Sequence, residues 1–427
     1  MGITILLVSL IIFLVLGLPI CFSLGASGLL YFVFIHPEFI NIIPQRIWAG
    51  TNSFTLIALP LFILAGNLMN KGGITKRIID FSLYIVKPIR GSLGEVNVVA
   101  SMIFGGISGS SVADTSAIGS VLIPQMEEKG YSTGFSAGVT VGSSTMGMII
   151  PPSIPMLIYA MIAQESIGGL FLAGAIPGIL IGLTQIVMVK VLSKKENYHH
   201  NIEHNSFGEF LKASWGGILA VLMPLFIILS ISFGIATATE SAGIAVLYSL
   251  ILGFFVYKEM TFKDLWEAIK STVIFSSVVM FIVGFSTIYT WILSIEQVPQ
   301  SIAAFLLGLN VPRFVILIIV DLIILAIGTF VDVPAALYLL CPILLPVMAG
   351  FGVSPLQFGA MMIVGLAIGL VTPPVGMCLN AATKICGMSI TKIAYHALPF
   401  IICNIIVLLL VTFWPAVSVW LPSLVFN

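Results

Sequence analysis

Apolar runs of roughly the length that crosses a lipid bilayer follow one another along the whole chain, and no other feature constrains the fold as strongly. A transmembrane helix needs about 20 consecutive, mainly apolar residues. Residues 170–189 form one such run without a charged side chain, and residues 1–35 contain no Lys or Arg. Only 8% of the 427 residues are charged, against about 25% in soluble domains. The sequence therefore predicts an all-α polytopic membrane protein that binds membrane lipid and no nucleic acid.

The basic residues between the apolar runs predict the orientation of the chain. Lys and Arg are enriched on the cytoplasmic side of membrane proteins. The expected cytoplasmic clusters are Lys71, Lys76, Arg77, Lys87 and Arg90; Lys190, Lys194, Lys195 and Lys212; Lys258, Lys263 and Lys270; and Lys384 with Lys392.

Four prolines recur at a constant offset of 222 residues, which indicates an internal repeat. Leu and Ala matches arise easily in so apolar a chain, whereas four prolines in one register do not. Glycines and serines fall in the same register. The matched pairs are Pro124/Pro346, Pro151/Pro373, Pro152/Pro374 and Pro177/Pro399, with Gly106/Gly328, Gly130/Gly352, Ser132/Ser354 and Gly147/Gly369.

The charges that flank the two copies predict opposite orientations in the membrane. Residues 97–126 lie between the basic segment that ends at Arg90 and the charged run 127–129, which predicts a re-entrant hairpin entering from the cytoplasm. The matching segment 319–350 precedes a run that ends at Lys384, so its hairpin is expected to enter from outside. Inverted repeats with hairpins and broken helices are the architecture of secondary transporters, which bind substrate near the midplane.

Four polar stretches interrupt the apolar pattern, two in each copy of the repeat. Successive prolines open a helix because they lack amide donors. The freed carbonyls are tolerated in a bilayer only where protein buries them or a cavity receives them. With Ser and Thr hydroxyls they suit Na⁺, while free N–H groups suit a carboxylate. We therefore expect one cation site per repeat, with an anionic substrate between them. The stretches are GGISGSSVADTSAIGS (105–120), GMIIPPS (147–153), GTFVDVP (328–334) and GLVTPP (369–374).

Two acids within these stretches are expensive in lipid and are therefore candidates for function. Asp114 and Asp332 each cost about 2.5–3.5 kcal/mol at the middle of a span. For Asp114 two interpretations stay open: it tunes the ion site, or it bonds backbone amides where the second helix of the hairpin starts. The five cysteines show no metal-binding spacing and are interpreted as small core residues. No cofactor is expected apart from Na⁺ as coupling ion.

Several motifs resemble those of one transporter family over essentially the whole chain. They are Ala-Leu-Pro-Leu-Phe at 58–62, Ala-Gly-Asn-Leu-Met at 65–69, Gly-Ser-Ser-Val-Ala-Asp at 109–114, and both Pro-Pro pairs. The chain resembles the large membrane (M) subunit of a tripartite ATP-independent periplasmic (TRAP) transporter. The family's Thr-Pro-Thr-Glu-Ala turn is Thr-Ala-Thr-Glu-Ser here, at 237–241. The segment LPLFILAGNLMNKGGITKRI (59–78) most resembles members that carry sialic acid (N-acetylneuraminate).

The resemblance implies a mechanism, partners and a location. A transport domain built from both hairpins and both broken helices would move against a scaffold as an elevator, driven by Na⁺ symport. A small four-span membrane subunit and a periplasmic substrate-binding protein would assist it in the bacterial inner membrane. The expected division is 1–90, first-repeat scaffold spans and an interfacial arm helix; 91–192, the first half of the transport domain (hairpin 97–126, broken helix 133–163); 193–312, the inter-repeat loop, second-repeat scaffold spans and arm; and 313–427, the second half (hairpin 319–350, broken helix 355–386) with the last span.

The resemblance also assigns site residues. The first cation site would use Ser108, Ser110, Ser111 and Gly147, and the second would use Gly328, Asp332, Gly369 and Thr372. Asp114 and Thr329, in the same hairpin tips, complete the expected sodium ligands. The substrate carboxylate would lie between Ser108, Ser111 and Pro151 on one side and Thr372, Pro373 and Met377 on the other.

The sequence alone is compatible with other functions. A C4-dicarboxylate or another sugar acid is an alternative substrate, and a self-sufficient Na⁺/dicarboxylate symporter is the main rival class. A channel has no need of two pseudo-symmetric discontinuous sites. An intramembrane enzyme needs a nucleophile–base pair or a metal constellation, and none of the five His residues lies beside Asp114 or Asp332 in sequence. No enzymatic activity is therefore expected.

Overall fold

The regular elements of the computed structural model are all helices within the ranges that it describes, which are residues 2–86, 92–196, 198, 207–308 and 311–426. Lys87 and Arg90 of the first basic cluster lie outside these ranges. The helices up to the middle of the chain are α1 Gly2–Val15, α2 Ile20–Ile35, α3 Ile42–Thr51, α4 Ala58–Lys71, α5 Ile74–Ile85, α6 Ser92–Ser108, α7 Ser111–Glu128, α8 Thr133–Ser144, α9 Met146–Ile149, α10 Ile154–Ala163 and α11 Ile167–Lys195.

The second half of the chain continues in the same way. Its helices are α12 Phe207–Ser232, α13 Ala238–Ile251, α14 Phe262–Ile295, α15 Val298–Gly308, α16 Arg313–Phe330, α17 Val333–Gly350, α18 Pro355–Gly369, α19 Met377–Cys386, α20 Ile390–Phe413 and α21 Ala416–Val425. Short 3₁₀ turns cover Pro37–Phe39 and Phe54–Ile57, and a π-helical turn over Leu252–Val256 extends α13.

Seven helical segments in the described ranges are long and apolar enough to cross a membrane, and a bent pair raises the number to eight. The bent pair joins Thr133–Ile149 to Ile154–Ala163 at an angle of 41°. The prediction of an all-α polytopic membrane protein is thereby confirmed. The seven segments are Phe54–Lys71, Ile167–Lys195, Ala238–Val256, Phe262–Ile295, Arg313–Phe330, Val333–Gly350 and Ile390–Phe413.

Backbone details recur at positions that the 222-residue register relates. Gly130 and Gly352 both adopt left-handed backbone, with φ of 86° and 73°. Two residues later, Ser132 and Ser354 cap α8 and α18, because their hydroxyl oxygens accept hydrogen bonds of 3.2 Å from the N–H groups of Phe135 and Gln357. A serine at this position satisfies one of the amides left free in the first helical turn. The register read from the sequence therefore relates equivalent structural positions.

Each copy contains two helices that pack side by side in opposite directions. The amide nitrogen of Asn97, near the start of α6, lies 3.9 Å from the sulfur of Met126 near the end of α7. In the second copy, the Arg313 guanidinium at the start of α16 lies 3.5 Å from the Gly352 carbonyl after α17. The connections Gly109–Ser110 and Val331–Asp332 therefore lie at the far tips of the two pairs.

Polar contacts and small residues fix α8 between its neighbours. Asn97 of α6 donates to the Thr140 hydroxyl at 2.7 Å, and the hydroxyls of Ser101 and Ser143 lie 2.8 Å apart. On the other side, a Cβ at Gly138 would lie 2.6 Å from the carbonyl oxygen of His396 in α20. Small residues permit such close helix contacts within a membrane. These contacts place the end of α8 beside the α6–α7 tip.

The cap that Ser354 forms on α18 can be tested directly. Replacing Ser354 with Ala is expected to destabilise the protein by about 1 kcal/mol, since the capping bond to Gln357 is lost. Ser389 precedes α20 and makes no capping hydrogen bond, so Ser389→Ala is the matched control and is expected to be neutral. Thermal unfolding of the purified variants in detergent measures both changes. Equal effects from the two substitutions would contradict the assigned cap.

Candidate functional site

The tip of the α6–α7 pair concentrates polar groups around one buried acid. α6 ends at Ser108, Gly109 follows with left-handed backbone (φ 61°), and Ser110 caps α7. The Ser108 hydroxyl donates to Asp114 Oδ1, and it also lies 3.3 Å from the Ser110 carbonyl oxygen. Glycine is needed at position 109 because the chain reverses there with a positive φ.

Asp114 is fully buried and only half paired. Its Oδ1 atom accepts from Ser108, whereas Oδ2 has no hydrogen-bond partner within the described part of the chain. A carboxylate without compensating partners is very costly in an apolar interior. A bound cation would supply the missing partner. The orphaned oxygen, together with the backbone that encloses it, therefore makes this tip a candidate cation site.

Backbone from α9 closes over this carboxylate at Gly147. A Cβ at that position would collide with Asp114 Oδ2 and would lie 3.1 Å from the carbonyl carbon of Ser110. The preceding Thr145 carbonyl lies 3.4 Å from the hydroxyl of Ser111, which donates to it. Hydroxyl, carboxylate and backbone oxygens thus meet in one enclosed place. Such a set of oxygen donors fits Na⁺.

The second copy brings its glycines together in a similar way. Gly328 of α16 lies against Gly369 at the end of α18, where a Cβ on Gly369 would lie 2.6 Å from the Gly328 carbonyl oxygen. Asp332 is the N-cap residue of α17, but its side chain makes no capping hydrogen bond, and it is exposed. It borders a cavity of about 310 Å³ that is also lined by Leu14, Ile20, Gly328, Thr329, Phe330, Val331, Leu370, Val375 and Met377.

The acids of the two copies are not equivalent, although the sequence register pairs the stretches that contain them. Asp332 corresponds to Ser110, and Asp114 corresponds to Ala336. Asp332 therefore occupies the N-cap position of its helix beside an open cavity, without a capping hydrogen bond, whereas Asp114 lies one turn inside its helix and is enclosed. The glycines 147 and 369, in contrast, are equivalent by the register and each closes its own tip.

The remaining predicted residues occupy several environments. The Thr329 hydroxyl donates to the Ala326 carbonyl of its own helix, and the Thr372 hydroxyl donates to the Ile368 carbonyl in the preceding α18, each at 2.7 Å. The carbonyl of Pro151 faces α6 at Gly106, where a Cβ would lie 3.0 Å away, and Pro373 is exposed. The structure thus brings together Ser108, Ser110, Ser111, Asp114 and Gly147 in one cluster, and Gly328, Thr329, Asp332 and Met377 around one cavity.

A residue that sequence reasoning assigned to the core connects these two places. Cys378 follows the cavity residue Met377 directly, is fully buried, and lies against the hydroxyls of Thr115 and Ser144, which neighbour the first cluster. The sequence does contain one signal for this place, because Cys378 directly follows Met377, a predicted substrate-binding residue. The first turn of α19 therefore lies next to the first cluster on one side and borders the second-copy cavity on the other.

Comparison with known proteins identifies relatives along nearly the whole chain. The family model described as the DctM component of the tripartite ATP-independent periplasmic transporter matches residues 7–417. The chain is 38% identical over 408 residues to the sialic acid TRAP transporter large permease protein SiaM of Vibrio cholerae, covering 96% of this chain and 95% of that protein. It is 34% identical over 401 residues to the C4-dicarboxylate TRAP transporter large permease protein DctM of Pseudomonas aeruginosa, covering 94% of each.

A solved structure with little sequence similarity shares the fold. The crystal structure of the YdaH transporter of Alcanivorax borkumensis matches with a TM-score of 0.61 at 14% identity, covering 89% of this chain and 88% of that one. At this level of identity the likeness concerns architecture alone.

Proposed function

Because the chain belongs to the DctM family, whose members are the large permease subunits of TRAP transporters, we propose that it imports a small organic acid by Na⁺ symport. It is a multi-pass bacterial membrane protein, and its homologues are permeases rather than enzymes. TRAP large permeases work with a small membrane subunit and a periplasmic binding protein. We assign this chain the same two kinds of partner and a place in the inner membrane.

The single observation that carries the Na⁺ assignment is the Oδ2 atom of Asp114, which has no partner in the part of the chain that the structure describes. The buried carboxylate faces Gly147, and the Ser108 hydroxyl satisfies only its other oxygen. A cation enclosed there removes the cost of a buried negative charge. Binding of Na⁺ would thus stabilise the contact between the α6–α7 tip and α9.

The cavity beside Asp332 supports a second cation site with the substrate next to it. Glycines 328 and 369 leave backbone accessible at the tip of the second copy, and the cavity of about 310 Å³ reaches Met377. The amides at the start of α19 favour an anion. In our proposal the carboxylate of the substrate lies near Thr372 and Met377, between the two cation sites.

A gap between helices supports an elevator motion. A cavity of about 480 Å³ lies between α3 and α14 on one side, at Gly50 and Thr287, and α10 and α17 on the other, at Met161 and Tyr338. Helices α3 and α14 belong to the expected scaffold, and helices α10 and α17 belong to the expected transport domain. A loosely packed boundary permits one group to slide past the other. We propose that the two hairpins and two broken helices move as one unit.

Sialic acid is the first candidate substrate, and a C4-dicarboxylate is the second. The choice follows the names of the relatives, since the identity is 38% to a sialic acid permease and 34% to a C4-dicarboxylate permease. Both candidates offer the carboxylate that the site is expected to bind.

Uptake by the reconstituted complex tests the function. The chain is placed in proteoliposomes with its small membrane subunit, and the binding protein loaded with labelled N-acetylneuraminate is added outside. We expect uptake with an inward Na⁺ gradient and near-background uptake in choline. Uptake of labelled succinate instead of N-acetylneuraminate would correct the substrate, and equal uptake in choline would refute the Na⁺ coupling.

A further inference from the structure

The carbonyl groups at the end of α8 are satisfied by side chains. α8 ends at Ser144, so the C=O groups of its last turn need donors other than the amides of that helix, and the hydroxyl of Thr145 donates to the Gly142 carbonyl at 2.8 Å. The segment is deeply buried, since every residue from 134 to 149 is buried. An unpaired carbonyl in such surroundings is costly.

Two buried amide side chains supply further donors to the same carbonyl. Gln185 of α11 donates to the Gly142 carbonyl at 2.9 Å, and Asn404 of α20 approaches the same oxygen at 3.3 Å. The second hydrogens of the two amide groups are also used, because Gln185 donates to Asn404 Oδ1 at 2.7 Å and Asn404 donates to the Thr145 hydroxyl at 3.1 Å. Both side chains have no exposed surface. The two residues therefore form one fully engaged donor pair.

The equivalent positions of the other copy explain why these amides are present. The register relates Gly142 to Val364, Gln185 to Val407, and Asn404 to Gly182. α18 continues as a helix to Gly369, so its backbone supplies the donor for Val364. The second copy has no interruption at this point, and it has no amide side chains there. The pair thus compensates for a helix end that occurs only in the first copy.

This donor pair lies directly behind the first cation cluster. Thr145, held by Asn404, accepts through its carbonyl a hydrogen bond of 3.4 Å from Ser111. Two residues later, Gly147 packs against Asp114 Oδ2. A shift of the α8 end would therefore move both walls of the cluster.

We propose that Asn404 and Gln185 are positioning residues that set the Na⁺ affinity of the first cation cluster. The inference rests on the proposed Na⁺ symport. Asn404 lies in the second copy, so a helix of one repeat fixes the ion site of the other. Loss of a group that orients metal ligands typically lowers affinity by about 10- to 100-fold.

The test compares Asn404→Leu and Gln185→Leu with Gln357→Leu. Gln357 is an equally buried amide, but it donates at 3.0 Å to the carbonyls of Val411 and Thr412, away from the cluster. The Na⁺ concentration that half-saturates two responses is measured: uptake by the complex, and the rise in unfolding temperature of the purified chain. We expect an increase of about 10- to 100-fold for Asn404→Leu and Gln185→Leu, and no change for Gln357→Leu.

The outcomes separate this inference from the function that it rests on. Thermal unfolding in choline buffer identifies any variant that fails to fold. If Asn404→Leu fails to fold, Gln185→Leu still tests the inference, because it removes a different pair of donors. Unchanged Na⁺ half-saturation in the folded variants, or an equal shift in Gln357→Leu, would overturn the positioning role. Uptake by the wild-type complex that does not depend on Na⁺ would instead refute the proposed symport.

Discussion

Asp114→Asn is expected to raise the Na⁺ concentration needed for half-maximal uptake by about 100-fold, equivalent to about 3 kcal/mol. Asn keeps the shape of the side chain and an oxygen that accepts from Ser108. It removes the negative charge that faces Gly147, so the ion loses its charged ligand. The neutral side chain costs less to bury, and the unfolding temperature in choline is therefore expected to stay equal or rise.

A second buried acid provides the matched control. Asp321 of α16 also has one paired oxygen, which accepts from the Thr412 hydroxyl at 2.8 Å, and one oxygen without a partner in the described ranges. Thr412 lies about 12 Å further along α20 than Asn404. Asp321→Asn is therefore expected to leave the Na⁺ response unchanged. If Asp114→Asn also left it unchanged, Asp114 would be a structural acid at the start of α7.

Gly369→Ala is expected to abolish transport and to destabilise the protein by about 1–3 kcal/mol or more. The added Cβ would lie 2.6 Å from both the Cα and the carbonyl oxygen of Gly328. Both atoms belong to the backbone, so no side chain can rotate away, and α16 must separate from α18. That separation opens the tip where the second cation site is proposed. Initial uptake rates and thermal unfolding measure the two effects.

The control for this substitution is Gly243→Ala in α13. Among the described residues, a Cβ at Gly243 would meet no atom within 4 Å beyond its own helical turn, and Ala favours a helix over Gly by about 1 kcal/mol. Gly243→Ala is expected to preserve transport and to equal or exceed the wild-type unfolding temperature. Full activity of Gly369→Ala would show that α16 and α18 do not require their close approach.

The sequence predicted the helical membrane fold and the family, and both are confirmed. Pattern was sufficient there because the bilayer dictates the length and polarity of its helices. The register also related positions that prove equivalent, such as the capping residues Ser132 and Ser354. The asymmetry of the acids was harder to see, although the same register pairs Asp332 with Ser110. A carboxylate at position 114 or at position 332 lies at the tip of its own helix pair. Only the packing of α9 over Asp114 distinguishes the enclosed site from the open one.

The donors behind the first cluster could not be predicted from the chain alone. Gln185 and Asn404 are single polar residues within long apolar helices, about 220 positions apart. Their role depends on α8 ending at Ser144, before the prolines that were expected to open the helix. The interruption arises where α8 turns into α9 against the α6–α7 tip, which is a tertiary contact. The interpretation of Cys378 as a core residue is confirmed, since it is fully buried, but its place next to the first cluster depends on neighbours in α7 and α8 and could not be predicted.

Na⁺ and substrate are proposed to cross the membrane together, so substrate entry should drive Na⁺ entry even without a Na⁺ gradient. Proteoliposomes containing the membrane subunits are prepared with equal Na⁺ on both sides, and binding protein loaded with substrate is added outside. Radiolabelled Na⁺ entry is then recorded with and without the substrate. Na⁺ entry is expected to depend on substrate and to be lost in Asp114→Asn. Substrate entry without any accompanying Na⁺ would contradict it.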